Sequence, residues 1–238
     1  MEEFLPTILV GIAVAIFPFL AVSIYVAKGR GALWKAFLFG WGVWLLAFLV
    51  RSPLLAVPQL LFSSEIASSV TLAILFGVYA SILAGLFEEG LRFFILRRRK
   101  SLRIDRKSVL SFGLGWGVGE AIILYIPAVA SLPLLADAAP SITEMILGAI
   151  ERNLAILAHV SFTFIVLAAF TRGKTFLALA ILLHFALNAG AVSTLILTQN
   201  VLLTEAMIGI VVAISLVIAY QVRGEDPSDP AIQGSNAS

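Results

Sequence analysis

The chain contains no cysteine and only two histidines among its 238 residues. The lack of cysteine excludes disulfides, iron–sulfur clusters and thiol catalysis. Charged residues make up only 13% of the chain, whereas 61% of it is hydrophobic. This composition is typical of a membrane protein with several spans rather than of a soluble domain. The net charge of +2 is too small to indicate nucleic-acid binding.

Long apolar runs predict an all-α polytopic bundle of about seven transmembrane helices in a cell membrane. We place them at about 5–27, 33–51, 66–97, 107–135, 143–170, 174–197 and 201–221. The stretch 52–64 is apolar but contains two prolines, so we expect it to lie at the interface or to re-enter the membrane. Residues 1–222 are expected to form one domain, with the motif-bearing core at 66–197 and a disordered cytoplasmic tail at 223–238.

The distribution of basic residues predicts the orientation of the bundle. Thirteen of the sixteen basic residues fall on one side. They are Lys28, Arg30, Lys35, Arg97, Arg98, Arg99, Lys100, Arg103, Arg106, Lys107, Arg172, Lys174 and Arg223. Because cytoplasmic loops carry the excess of lysine and arginine, we expect the N-terminus outside and the C-terminus in the cytoplasm. We interpret the basic run 97–107 as a topology anchor, in preference to a dedicated lipid site or a nucleic-acid site.

Ionisable residues inside the predicted spans are few and concentrated, and such residues persist in hydrocarbon when they are paired, wetted or functional. The intramembrane polar set is Glu88, Glu89, Arg92, Glu120, Glu151, Arg152, Asn153, His159, His184 and Asn188. Counting about 1.5 Å per residue from the cytoplasmic charges places four of them, on four helices, at one depth of roughly 13–20 Å. The four are Glu88, Glu120, His159 and His184. Glu151 is expected to lie further outward.

Helical spacing predicts which of these side chains share a face. Glu88 and Arg92 are four residues apart, so we expect them to form a pair. His184 and Asn188 have the same spacing, so the imidazole and the carboxamide are expected to project together.

Glycines alternate at positions 113, 115, 117 and 119, directly before Glu120. They form two faces of small residues that allow close helix packing. We interpret them either as packing alone or as the feature that brings Glu120 to the polar layer.

The polar layer is compatible with several functions. A glutamate base, together with a histidine and an asparagine that stabilise an oxyanion, describes hydrolysis of an amide or ester. His159, His184 and Glu88 can instead bind a divalent, zinc-like metal, although the HExxH motif is absent. A proton-coupled carrier for a small solute needs the same residue types at the midplane. A non-catalytic membrane partner protein would use the layer only for packing.

Four segments occur in an order that resembles the YhfC-type intramembrane metalloproteases. They are FEEGLRFF at 87–94, GLGWGVGEAI at 113–122, ERNLAILAH at 151–159 and HFALN at 184–188. They are also similar to the wider CPBP group, which includes CAAX prenyl endopeptidases and bacteriocin-processing proteins. The resemblance implies a helical bundle that cleaves a membrane-anchored peptide or protein, in a cavity open toward the cytoplasm.

The resemblance also implies roles for individual residues. One of Glu88 and Glu89 would activate water, with Glu88 as the preferred base, and Arg92 would hold the charge state. His159 would help to position the water, and His184 with Asn188 would bind the oxyanion. Independently of the resemblance, we expect Arg92, Glu120, Glu151 and Arg152 to support the site, with Glu151 and Arg152 alternatively forming only a self-neutralising pair near the outer interface.

The chain departs from these families at three places. Arg92 follows the glutamate pair after two residues, which suits the YhfC-type pattern rather than the EExxxR of the wider group. Ala155 stands where that group often has phenylalanine. Trp116 stands where the YhfC-type motif often has histidine, which puts metal binding in doubt.

Overall fold

The fold is an all-α bundle, described by a computed structural model over residues 4–103, 105–135 and 140–223. No strand occurs within those ranges. The helices are α1 (Phe4–Ala27), α2 (Gly31–Leu61), α3 (Ser63–Ser68), α4 (Val70–Arg98), α5 (Arg106–Glu120), α6 (Ile126–Ala130), α7 (Leu132–Leu135), α8 (Ile142–Ala168), α9 (Thr175–Thr198) and α10 (Val201–Val222). Seven spans, of which α5 to α7 form one, are long and apolar enough to cross a membrane.

This result confirms the predicted fold class and defines a multi-pass integral membrane protein. Large apolar side chains are exposed around the bundle, as expected for a surface that faces lipid; Leu60, for example, is 80% exposed. The orientation of the termini remains a prediction. Apart from Arg223, the predicted tail at 223–238 lies outside the described residues.

The expectation that 52–64 re-enters the membrane is wrong, because α2 continues as a helix through Pro53 and Pro58 to Leu61, whereas its position at the interface stays a prediction. Pro58 has no N–H for the carbonyl of Leu54, and the hydroxyl of Tyr79 donates to that carbonyl instead, at 3.0 Å. A neighbouring helix thus replaces the missing bond, which is how prolines are tolerated within spans. The consequence is that Arg51 lies inside a continuous helix and not at its end.

The span that carries Glu120 changes its winding directly after this residue. The α-helix α5 ends at Glu120, and a π-helical turn follows at Ala121–Tyr125 before α6 begins. Pro127 has no N–H to donate within the following turn. Single π turns inside helices are frequent at functional sites.

The alternating glycines pack α5 between two neighbours. A Cβ on Gly115 would lie 1.8 Å from the carbonyl oxygen of Phe37 on α2, and one on Gly119 would lie 2.0 Å from the Trp41 ring. On the other face, a Cβ on Gly117 would lie 2.8 Å from the Cα of Ile156 on α8. Both faces are therefore in close contact, and this packing fixes the height of Glu120.

The apolar core fills the end of the bundle that carries the basic loops. Phe112, Phe162, Ile165 and Ala180 come from α5, α8 and α9, and each is fully buried there. These side chains close the polar layer off from the basic loops. They thereby determine the direction from which water can reach that layer.

We predict that Gly115→Ala lowers the free energy of unfolding by about 1–3 kcal/mol, because α2 and α5 must separate to admit the methyl group. The matched control is Gly42→Ala on α2, where a Cβ would meet nothing within 4 Å. The control should be neutral, or more stable by up to about 1 kcal/mol from helix propensity. Unfolding in a detergent titration measures both variants, and equal effects would contradict the packing described.

Candidate active site

The two adjacent glutamates of α4 pair with different arginines. Oε1 of Glu88 lies 3.1 Å from Nη1 of Arg51 on α2. Glu89 forms its ion pair with Arg92, three residues further along α4. The predicted pair between Glu88 and Arg92 is therefore wrong. Successive side chains of a helix point about 100° apart, so the two carboxylates face different neighbours.

Trp116 of α5 connects the two ion pairs. Its indole Nε1–H donates to Oε2 of Glu88 at 3.0 Å, and the guanidinium carbon of Arg92 lies 4.0 Å from the centre of its ring. Both oxygens of Glu88 thus have partners, as a charge buried in hydrocarbon requires. Glu88, Arg92 and Trp116 are each at most 1% exposed.

Glu89 also has both oxygens engaged. Oε2 accepts from Arg92, and Oε1 lies 2.8 Å from Nδ1 of His184 on α9. We assign the proton of His184 to Nδ1, since an ionised carboxylate can only accept. No residue in the described ranges forms a hydrogen bond with the other ring nitrogen of His184.

His159 of α8 lies between a cation and a carboxylate. Nη2 of Arg92 is 3.2 Å from its Nδ1, and its Nε2 is 2.7 Å from Oε2 of Glu120. Arginine can only donate, so we assign His159 as the tautomer that accepts at Nδ1 and donates at Nε2. Glu120 lies 3.6 Å from Arg152, which in turn pairs with Glu151.

These contacts bring the four residues of the predicted layer together. The ring centres of His159 and His184 are 5.4 Å apart, in an edge-to-face arrangement. Ligand-type atoms of Glu88, His159 and His184 all lie within 4.8 Å of one another. Each residue comes from a different helix, and the four side chains nevertheless meet. The common depth that was estimated by counting residues therefore corresponds to a cluster in the structure. The roles assigned to its members remain predictions.

A cavity of about 230 Å³ lies against this cluster. Its walls comprise Arg51, Glu88, Glu120, Leu124, Glu151, Arg152, Ala155, His159, His184, Leu187, Asn188, Ala191 and Ile208. Glu89 and Arg92 are not among them, so only some of the predicted residues face the cavity. Its presence disagrees with the packing-only interpretation, which expects every polar group to be satisfied with no space between them.

The cavity extends away from the basic loops. From Glu120 at the end of α5 it continues to Leu124 in the π-helical turn, and on α9 it continues from His184 to Ala191, in both cases toward the opposite end of the bundle. Side-chain exposure rises in the same direction, from 1% for Glu88 to 37% for Glu151. The expectation of a cavity open toward the cytoplasm is therefore wrong for the orientation that the basic loops predict, because apolar side chains fill that end.

Asn188 lies on the cavity wall one helical turn after His184, as its spacing predicts. Its carboxamide forms no hydrogen bond with any residue in the ranges that the structure covers. Polar groups inside a membrane protein normally find a partner. An amide that faces a polar cavity without one is available to a bound molecule.

Sequence reasoning missed Arg51 and Trp116 as members of the site. The second predicted span ends at Arg51, directly before the proline-containing stretch 52–64, so the sequence places this residue at the edge of the membrane. Trp116 was noted only as a departure from the family pattern. A signal for Trp116 existed, since a buried indole N–H needs an acceptor and the neighbouring span offers two carboxylates.

The cluster fits a metal in its donor types, since two imidazoles and one carboxylate are a zinc-like set. The hydrogen bonds and ion pairs that these residues already form are less compatible with a bound metal. Arg51 and Trp116 hold both oxygens of Glu88, and Arg92 and Glu120 hold both nitrogens of His159. Loading a dication here requires that these partners, two of them cationic, release the donors.

Taken together, the fold and the site define a multi-pass membrane protein with a buried carboxylate–imidazole–arginine cluster at a polar cavity. A family model described as YhfC intramembrane metalloprotease matches residues 10–141, more than half of the chain. The chain belongs to this family. No curated protein and no solved structure matches it. The matched segment includes Arg51, Glu88 and Glu120, whereas His159 and His184 lie beyond it.

We predict that Arg51→Met destabilises the protein strongly, by about 3–5 kcal/mol, because it leaves the carboxylate of Glu88 buried without its cation. Adding Glu88→Gln to this variant should recover most of the loss, since it removes the unpaired charge. The exposed Arg97→Met serves as the control for loss of a basic residue. The double-mutant cycle uses free energies of unfolding in detergent, and additive effects would show that the pair does not contribute.

Proposed function

We propose that this protein is a glutamate-dependent intramembrane protease that hydrolyses a peptide bond of a membrane-associated substrate. The observation that supports this most directly is the position of Glu88. Its carboxylate lines the same small cavity as His184 and Asn188, deep within the span. A base and two potential hydrogen-bond donors around one space are the groups that peptide hydrolysis needs.

Glu88 is the proposed general base, and Glu89 is a positioning residue. Both carboxylates have partners on both oxygens, but Glu88 lines the cavity and Glu89 does not; Glu89 is held by Arg92 and His184. Glu89 therefore fixes the rotamer and tautomer of His184, in the way that a buried carboxylate orients a catalytic imidazole. Glu120 is a second carboxylate at the cavity wall, and His159 and Arg152 hold it in place.

In the proposed reaction, Glu88 takes a proton from a water molecule, and the water oxygen attacks the carbonyl carbon of the scissile peptide. Asn188, through its amide N–H, stabilises the oxyanion together with the neighbouring His184, which acts here in its doubly protonated form and donates from Nε2 while Nδ1–H stays bonded to Glu89. The C–N bond then breaks, and Glu88 transfers its proton to the leaving nitrogen. The products are a carboxylic acid and an amine, and Glu88 returns to its ionised state.

Glu88, His159 and His184 would hold a divalent metal if one binds, and the ion would polarise the carbonyl or acidify a bound water. Glu88 would then be occupied, which leaves Glu120, bonded to His159 and Arg152, and Glu151 as the other carboxylates at the cavity wall. We favour the arrangement without a metal ligand at Glu88, because Arg51 and Arg92 already neutralise the two glutamates of α4.

The cavity also restricts the substrate. At about 230 Å³ it is smaller than typical drug-sized pockets, which measure roughly 300–1,000 Å³. It suits an extended backbone with small side chains rather than a helix. The scissile segment must therefore unwind, and it enters from the end of the bundle opposite the basic loops.

We predict that Glu88→Gln reduces peptide cleavage by about 10²–10⁴-fold, because it removes the proposed base without changing side-chain size. The assay compares purified variants in nanodiscs with a library of membrane-anchored peptides. Glu65→Gln, an exposed glutamate on α3 outside the spans, is the control and should cleave like the wild type. Full activity of folded Glu88→Gln would refute the proposed base.

Asn188→Ala should lower kcat by about 10²–10³-fold while the KM changes little, because an oxyanion donor acts mainly in the transition state. The carboxamide forms no hydrogen bond in the described structure, so the variant should keep its stability. A rise in KM alone would instead indicate that Asn188 only binds substrate. If both variants abolish proton-driven uptake of a solute and no peptide is cleaved, the protein is a carrier.

We expect activity to survive treatment with 1,10-phenanthroline, since the partners of Glu88 and His159 already engage the donor atoms. The metal content of the purified protein, measured by plasma mass spectrometry, should not change in Glu88→Gln. Loss of activity with the chelator, restored by zinc, would place a catalytic metal here and transfer the role of base to Glu120.

A further inference from the structure

A second cavity, of about 620 Å³, lies at the opposite end of the bundle from the opening of the active site. The start of α2, residues 99–102 after α4, and the first turn of α5 with its cap Asp105 form its walls. None of its lining residues belongs to the polar layer. The proposed protease mechanism therefore does not account for it.

Cationic side chains line the rim of this second cavity. Arg30 and Lys35 come from the start of α2, Arg99 directly follows α4, and all three are exposed. Neither Arg30 nor Lys35 forms an ion pair with another residue in the part of the chain that the structure describes. Three cations therefore converge at this rim, and two of them lack a carboxylate partner. The resulting positive potential favours binding of an anion.

The one carboxylate at this cavity is Asp105, and it already has a structural role. It caps α5, and its Oδ1 accepts from the backbone N–H of Ser108 at 2.7 Å. The helix N-terminus therefore stabilises this negative charge. Asp105 does not complete an ion pair with Arg30 or Lys35, so the rim keeps an excess of positive charge.

The floor of the second cavity is apolar. Leu33, Ala36 and Leu102 are buried there, and Phe39 lies deeper along α2 with the Arg99 guanidinium 5.6 Å from its ring centre. Phe39 is nine residues after Arg30, about 13 Å along a helix at 1.5 Å per residue. A polar rim and an apolar floor of this depth match a phosphate headgroup followed by its glycerol and the first methylenes of its chains.

We propose that this cavity is a binding site for the headgroup of an anionic phospholipid of the surrounding bilayer. Basic pockets between spans on the cytoplasmic side are suited to such headgroups. This goes beyond the interpretation of the basic residues as a topology anchor, because an anchor needs charge but no cavity. The bilayer is the source that we favour, since the apolar floor would serve no purpose for free phosphate.

Charge-matched variants test this site. In Arg30→Gln/Lys35→Gln/Arg99→Gln the rim loses its three cations, and in Arg97→Gln/Arg98→Gln/Lys100→Gln the same end loses three cations that do not line the cavity. Native mass spectrometry follows titration of each purified protein with dioleoyl phosphatidylglycerol in neutral detergent. The rim variant should bind roughly tenfold more weakly or worse, and the matched variant less than about threefold. Equal losses in both variants would overturn the proposal.

A steric variant separates the cavity from its charge. Ala32 lines the cavity and is exposed, so Ala32→Trp should fill the space while every basic residue remains. We expect it to weaken phosphatidylglycerol binding as the rim variant does, and to leave dioleoyl phosphatidylcholine binding unchanged. Binding that is unaffected by the tryptophan would mean that only surface charge is sensed, which contradicts a built site.

Competition with inorganic phosphate distinguishes the two sources of the same chemistry. A large molar excess of phosphate should displace little lipid, because it gains no contact with Leu33 or Phe39 on the floor. The wild type could instead bind phosphate and lipid equally well, and the rim variant could lose both to the same extent. That result would assign the cavity to a soluble anion and refute a lipid site.

Discussion

Pairing of buried charges is the constraint on which the rest of this structure depends. Three carboxylates lie deep in the bundle, and each has an arginine: Glu88 with Arg51, Glu89 with Arg92, and Glu120 with Arg152. A single unpaired charge at this depth would cost at least ~3 kcal/mol. The pairs join α2 to α4 and α5 to α8, so the electrostatic requirement also fixes which helices must be neighbours.

The ion pairs differ in whether they touch the cavity, and this difference produces the candidate site. Glu89 and Arg92 are enclosed and hold His159 and His184 in fixed orientations. Glu88 is equally buried but touches the cavity. Close packing of the α5 glycines and the apolar core on one side leaves space only on the other. The same interactions that make the charges tolerable in lipid thus leave Glu88 at the wall of the cavity.

The sequence predicted those features that follow from regular helix geometry. Residues counted along seven spans located the common depth of Glu88, Glu120, His159 and His184, because the rise per residue is constant. Spacing of three or four residues could not decide which glutamate pairs with Arg92, since both lie on its side of the helix. Arg51 was missed because Pro58 would be expected to break α2, and its compensation by Tyr79 depends on tertiary contact. The direction of the cavity depends on how large side chains such as Phe162 and small ones such as Ala155 pack against neighbouring helices. These contacts between helices cannot be predicted from a single sequence.

The central claim is that paired charges hold a water-accessible cavity within the membrane, reached from the end opposite the basic loops. Since the chain has no cysteine, single cysteines report on this directly. Ala155→Cys and Ala191→Cys place thiols on the cavity wall, Leu182→Cys faces lipid, and Ser101→Cys marks the basic end. A charged, membrane-impermeant thiol reagent should label both cavity cysteines from the side opposite to that which labels Ser101→Cys, and should not label Leu182→Cys. Cavity cysteines that stay unlabelled, or that react only from the side of Ser101→Cys, would contradict the account.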